Sequence, residues 1–369
     1  MAMETHRNGI DGVLCLSRCA LNGETPSKET VAGLDLDAVY QAAQWHSVTA
    51  IVAVALGDAQ VHDERFRKAY AAAMRKTMVL DAERKAVFQK LDEAQIWYMP
   101  LKGAVLKDWY PRFGMREMAD CDILFDAAGE SRVRQIMTEL GFTVESYGKE
   151  HHDVYYKQPL CNFQMHVSLF GTGFEQRLND YYRDVASRLQ RGAGCSRSFT
   201  PEDFYIYMLA HAHMHFTKGG IGLRALMDTY VFWKRFGQTL DMAYVRAETE
   251  KLGIDAFEAQ NRSLALHLFG GQPLTGEEEQ MLAYMISSGT HGTLENSVKN
   301  RVSRYGGGWA GKLRYLRARL FVPLDTVRVN YPFFYRHRIF LPFLPLYRLV
   351  RSIGRKKSRI CTELKLLKK

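Results

Sequence analysis

Five short β-prone runs crowd into residues 96–170 of a chain that elsewhere repeats its apolar residues every three or four positions. The runs are "IWYMPLKG", "CDILF", "FTVES", "DVYYKQ" and "NFQMHVSLF", and between the second and third lies the amphipathic stretch "AGESRVRQIMTELG". Period-two or fully apolar runs of this length read as strands, and the three-to-four spacing reads as helix. The fold class is therefore α+β, with a small sheet embedded in a mainly helical chain. Helical periodicity precedes it, in "LDAVYQAAQWH" and "VHDERFRKAYAAAMRKTMVLDAERKAVFQKLDEA". It also follows, in "EQRLNDYYRDVASRL", "PEDFYIYMLAHAHMHF" and "GLRALMDTYVFWKRF". At 369 residues the chain is too long for one small core. We divide it into an N-terminal helical segment (1–95), the α+β core (96–170), a helical domain (171–296) and a basic, aromatic C-terminal segment (297–369).

Asp120 and Asp122 sit where the strand Ile123-Leu124-Phe125 begins. Side chains alternate along a strand, so the two carboxylates point the same way. Adjacent like charges are costly unless a cation sits between them. Mg²⁺ suits that place, because it takes one or two carboxylates together with substrate phosphates. It also lowers the cost of charge developing at a transferred phosphorus. Taken alone, the pair is more often a solvated strand cap, because such dipeptides are common.

The context is more specific. Pro100-Leu101-Lys102-Gly103, Tyr110-Pro111, and then Arg116, Met118, Asp120, Asp122, Ile123 and Leu124 form one ordered pattern. It resembles an uncharacterised bacterial nucleotidyltransferase family within the DNA polymerase β-like superfamily. "HHDVYYKQP" (151–159) and "NFQMHVSLF" (162–170) resemble the two strands that follow in that family. "GGIGLRALMDTYVFW" (219–233) resembles its later helical part, where His211 and His215 precede and Arg224 and Asp228 follow. The resemblance implies helices around a small mixed sheet. It also implies metal-dependent transfer of a nucleotidyl group from an NTP to a hydroxyl acceptor, with Mg²⁺ or Mn²⁺ on Asp120 and Asp122. Lys102 and Gly103 fall where the triphosphate meets a glycine turn. Gly103 lets backbone approach phosphate, and the next helix offers N–H groups. Lys102 and Arg116 are candidates to neutralise phosphate, and each also has an ion-pair reading. His211, His215, Arg224 and Asp228 become candidate walls of the acceptor or nucleotide pocket. Arg224 and Asp228, four apart on a helix, can also pair with each other.

One position departs from the pattern. The related family has Glu-x-His where this chain has Gln164-Met165-His166. Glutamine is neutral and cannot act as a base. Two outcomes follow: catalysis on two aspartates with His166 as the base, or a catalytically silent nucleotide-binding accessory protein, for example in membrane-surface glycan biosynthesis. His166 suits general-base work by residue type, and a structural hydrogen bond in the sheet is the other reading.

His211 and His215 have a spacing able to bind Zn²⁺, but no Glu follows His211, so the H-E-x-x-H protease motif is absent. The six cysteines include no C-x-x-C pair, and we expect reduced thiols. We expect neither a signal peptide nor a membrane-spanning helix, and a cytoplasmic, peripherally attached location. Segment 297–369 carries a net charge of +17 in a chain whose total is +10, so the remainder is at −7. Cations interleaved with Phe, Leu and Pro favour an anionic membrane surface over nucleic acid as its partner. Helices packed on the body with a solvated basic end are the alternative.

Overall fold

The computed structural model describes residues 2–171, 176–290, 292–348, 351, 362–363 and 365–367. The chain forms two compact units. The first comprises Met1–His213 and Gly222–Thr290, and the second Met214–Ile221 and His291–Lys369.

The first unit begins with helices α1 (Ala2–Asn22), α2 (Lys28–Ala32), α3 (Leu36–His46), α4 (Thr49–Asp58) and α5 (Glu64–Glu93). Side chains that compete with the backbone in helix interiors sit at helix starts, where they satisfy orphan N–H groups. Asp35 accepts from the amides of Asp37 and Ala38 ahead of α3, and Asp63 accepts from that of Arg65 ahead of α5.

Strands β1 (Tyr98–Pro100), β2 (Cys121–Phe125), β3 (Thr143–Ser146), β4 (His152–Lys157) and β5 (Cys161–His166) form one sheet in the order β1-β2-β5-β4-β3. β2 and β5 run parallel, and the other neighbours are antiparallel. The sheet is mixed and the fold is α+β. A short α6 (Gly103–Leu106) follows β1, and α7 (Glu130–Glu139) follows β2.

Alternation gives this sheet two different faces. Cys121, Ile123 and Phe125 of β2 and Phe163 and Met165 of β5 bury against Leu80, Val87 and Leu91 of α5 and Val133, Ile136 and Met137 of α7. Asp122, Gln164, His166 and His152 occupy the alternate positions. Register pairs Asp122 with Gln164 and His152 with His166, so the polar side chains gather on the opposite face.

Beyond the sheet come α8 (Gln176–Tyr181), α9 (Pro201–Lys218), α10 (Arg224–Phe236), α11 (Met242–Leu252), α12 (Asp255–Gly270) and α13 (Gly276–Ser288). The helix expected over "EQRLNDYYRDVASRL" is shorter than its periodicity suggests. After Tyr181 the chain makes a 3-10 turn at Val185–Arg188 and a two-stranded hairpin, β6 (Gln190–Arg191) with β7 (Arg197–Ser198). Tyr181 and Arg188 both bond to Glu248 of α11, and these tertiary bonds outweigh a local helical pattern.

The second unit contains residues 214–221, at the end of α9 and beyond it, with α14 (Leu294–Arg304), α15 (Gly308–Leu320), α16 (Leu324–Asn330) and α17 (Pro332–Arg336). Its apolar centre is small: Val298, Tyr315 and Leu367, flanked by Leu294, Val302, Leu316 and Leu366. Arg319 grips Glu363 with two hydrogen bonds of 2.9 Å, and the Tyr315 hydroxyl donates to the same carboxylate. Much of the remaining apolar surface is open. Trp309 is 78% exposed and Ile339 80%, and Phe321, Phe333, Phe343 and Leu346 are exposed as well. The basic cluster "GRKKSR" (354–359) lies outside the described residues.

Candidate active site

The turn after β1 and the loop before β2 reach α9 and α10 beside the polar face of the sheet, and sequence-marked residues of the first unit collect there. The segment leaving β1 crosses toward β2, with the Leu101 amide donating to the Asp122 carbonyl at 2.9 Å. It then turns sharply at Lys102, which has φ 28° and ψ −88°. That backbone is strained for any residue with a Cβ. The turn sends the Lys102 ammonium to within 2.9 Å of Nδ1 of His211 on α9. Burial lowers the Lys102 pKa to about 8, with the Asp228 and Asp122 charges holding it up and those of Arg116 and Arg224 pushing it down. The side chain is still mainly an ammonium at neutral pH, so it donates, and the His211 imidazole accepts at Nδ1.

Gly103 serves a different neighbour from the one expected. A Cβ there would lie 2.9 Å from Nη1 of Arg116, so the glycine makes room for a guanidinium of the protein itself. The N–H supply of α6 is also smaller than expected, because the Ala104 and Val105 amides already donate to the Leu101 and Lys102 carbonyls.

Arg116 is engaged in an ion pair. Its Nε and Nη2 donate to the two oxygens of Asp228 at 2.8 and 2.9 Å, and both side chains are buried. The Tyr110 hydroxyl donates to the same carboxylate at 2.8 Å. Asp228 therefore pairs with Arg116 and not with Arg224, its neighbour four residues away. Arg224 donates to the Glu117 carbonyl at 3.1 Å, and no carboxylate lies within ion-pair distance of it among the described residues. Burial, with the repulsion of Arg116, lowers its pKa. Its charge reaches Asp120.

Asp120 and Asp122 interact electrostatically. Burial first, then the negative charge of Asp122, pushes Asp120 up to about 6. Burial also acts to raise Asp122, but the hydrogen bond and charge of His166, together with Lys102, outweigh it and hold this carboxyl below its usual range. Gln164 stands beside them and donates from Nε2 to Oδ2 of Asp120 at 3.0 Å. His166 Nε2 is 3.4 Å from Oδ1 of Asp122. The Asp122 side chain keeps 30% of its surface exposed, so the carboxylates open to solvent. Two hard oxygen donors on one face, reachable from outside, suit a divalent cation such as Mg²⁺.

Residues 32–270 match a family described as uncharacterised nucleotidyltransferase. The chain belongs to that family. Membership assigns it nucleotidyl transfer as a general role and an NTP as the implied substrate. The matched span contains every site residue named in this section, from Leu101 to Asp228. No curated protein and no solved structure matches the chain.

His215 falls in the second unit, where its carbonyl accepts from the amides of Gly219 and Gly220. Sequence reading passed over Tyr110 as a partner of Asp228, and also Tyr207, a buried phenol close enough to feel the charge of Asp122. It passed over His151 and His152 as well. Both lie in a stretch noted only for its strand character, although two adjacent histidines at a strand start are a visible signal.

Proposed function

We propose that the first unit transfers a nucleotidyl group from an NTP to a hydroxyl acceptor, with Mg²⁺ on Asp120 and Asp122. The observation that carries this reading is the pair of carboxylates gathered by Gln164 and His166 on the polar sheet face, in a chain of nucleotidyltransferase family. Mg²⁺ bound there supplies neutralisation of charge on the phosphate oxygens as the bond changes occur. The acceptor oxygen attacks the α-phosphorus, the bond to the β-phosphate oxygen breaks, and pyrophosphate leaves. Asp120 and Asp122 would hold the cation. Lys102, kept in place by His211, sets a positive charge alongside. Gln164 cannot take the hydroxyl proton; His166, whose Nε2 faces the pocket beside Asp122, is the group there that can. Arg116, Asp228 and Tyr110 hold the loop that leads into β2.

The test is incubation of the full chain with each NTP, Mg²⁺ and a panel of hydroxyl compounds, following pyrophosphate. Mg²⁺-dependent release supports the transferase. Nucleotide binding with no release under any condition supports the silent accessory instead. Gln164→Glu separates the two further. A carboxylate beside Asp120 adds a hard, charged donor, and we expect Mg²⁺ affinity to rise about tenfold, within the range that groups supporting a metal site command. Turnover rises with it. Calorimetric titration with Mg²⁺ and a non-hydrolysable NTP reads the affinity, and an unchanged value removes Gln164 from the site.

We also propose that the second unit docks on an anionic bilayer. No helix among the described residues is long and apolar enough to cross a membrane. Exposed apolar side chains at Trp309, Phe321, Ile339, Phe343 and Leu346 lie in a segment of net charge +17, the pairing that interfacial binding requires. Each cation near such a surface contributes about 1 kcal/mol, and salt weakens the attraction. In co-sedimentation with phosphatidylserine vesicles, Phe321→Asp with Ile339→Asp and Phe343→Asp should cut binding at least tenfold in the full chain. Equal binding by the variant, or displacement of lipid by nucleic acid, would overturn this reading.

A further inference from the structure

We propose that His151, His152 and His166 form a second metal site selective for a borderline divalent transition metal such as Zn²⁺, with Asp122 orienting the His166 ring. The proposal rests on geometry and donor chemistry and does not depend on nucleotidyl transfer.

The histidines are far apart in sequence but adjacent on the sheet. His152 of β4 is the direct cross-strand partner of His166 of β5, so both rings rise from one face, with centroids 4.9 Å apart. His151 enters from the strand edge, held by its carbonyl, which accepts from the Val167 amide at 3.0 Å. Its ring lies against Gly171, where a Cβ would fall 2.7 Å from Nδ1, so a larger residue would expel the ring from this position. One ligating nitrogen from each of the three histidines lies within 4.8 Å of the others.

One donor separation already has the size of a metal's edge. His151 Nε2 is 3.3 Å from His152 Nδ1, while Asp122 Oδ1 engages Nε2 of His166 at 3.4 Å and leaves its other nitrogen, Nδ1, for a metal. A tetrahedral ion with ligands at about 2.0–2.1 Å spaces its donors by about 3.4 Å. His166 adds a second sign: it is only 8% exposed, and its Nδ1 is buried with no hydrogen-bond partner. Buried imidazole nitrogens are normally paired, or are metal ligands. His151 and His152 are half-buried, which leaves a path for entry.

Donor type chooses the metal. Three imidazoles suit Zn²⁺, Co²⁺ or Ni²⁺, whereas Mg²⁺ prefers an all-oxygen shell. The chain therefore offers two unlike cation sites side by side, with Asp122 between them. A metal on His166 also withdraws that ring from proton transfer.

The probe is Zn²⁺ itself, titrated into the metal-free, untagged full chain against a chromophoric chelator, with no nucleotide present. We expect one tight equivalent that survives a large excess of Mg²⁺. His151→Asn with His152→Asn should weaken it at least a hundredfold, while His215→Ala leaves it unchanged. Unfolding midpoints of the metal-free proteins check that the double variant folds. If it does not, the Co²⁺ form of the wild-type chain decides, since four-coordinate Co²⁺ absorbs strongly in the visible and six-coordinate Co²⁺ weakly. Undiminished binding by a folded double variant, loss of binding in His215→Ala, displacement by Mg²⁺, or a six-coordinate Co²⁺ spectrum would each overturn the site. Because the readout is metal binding, a chain that binds Zn²⁺ but releases no pyrophosphate leaves this inference standing, and the reverse result leaves the transferase standing.

Discussion

Replacing Asp228 with Asn is expected to lower the stability of the first unit by about 3–5 kcal/mol, the cost of removing one member of a buried ion pair. Asp228 receives two hydrogen bonds from Arg116 and one from Tyr110, and it also faces the charges of Lys102 and Arg224. Without it, three cations share a buried region with far less compensation. Urea unfolding of the full chain measures the loss. Arg116→Met with Asp228→Leu should recover only part of it, because Lys102 and Arg224 remain. Acid reports the same pair. Burial acts to raise the Asp228 pKa, but Arg116 and the other cations outweigh it and hold the carboxyl below its unfolded value. Its contribution is therefore complete above the unfolded value of about 3.9 and is lost as pH falls through the folded one. The gap between wild type and Asp228→Asn should narrow below about pH 4. A gap that stays constant down to pH 2 would show that the carboxylate charge is not what holds this region.

Asp122→Asn carries the largest expected effect on activity. It removes one of two charged oxygen donors and also the group that positions His166. Charge stabilisation by a metal is worth several kcal/mol in the transition state, so loss of a ligand should cut pyrophosphate release on the order of 10³-fold. The fold should suffer modestly: the side chain is partly exposed and Asn still offers an oxygen to His166, but the charge favoured by His166 and Lys102 is lost. Under the transferase reading, excess Mn²⁺ restores part of the rate. Wild-type turnover by this variant would remove Asp122 from the chemistry.

The strands were legible because alternation is a local property. Cys121, Ile123 and Phe125 face one way and Asp122 the other in any sheet, wherever its partners lie. The placement of Gln164 beside Asp120 was legible through the family resemblance and the spacing of Gln164 and His166. Arg116 was harder. Its partner is 112 residues away, and the nearer pattern, Arg224 with Asp228 at helical spacing, pointed to the wrong arginine. Helical spacing says which side chains share a face, not which of them another element will reach first. The histidine cluster was hidden for a related reason. It depends on the β4–β5 register, which is set by packing of the opposite face. The shortened α8 has a third cause, since the hydrogen bonds that divert the chain reach Glu248, some 60 residues on.

The second unit is assembled from two pieces of chain that are 69 residues apart, 214–221 and 291–369. The Thr293 amide donates to the Gly219 carbonyl, and the Asn300 side-chain amide donates to the Phe216 and Thr217 carbonyls. Those acceptors belong to the earlier piece. A protease that severs the chain near residue 291 and frees everything after it would leave residues 214–221 behind with bare carbonyls and lost packing partners. Unit two is thus not a detachable appendix, and its two pieces have to be inherited, cleaved or transplanted together.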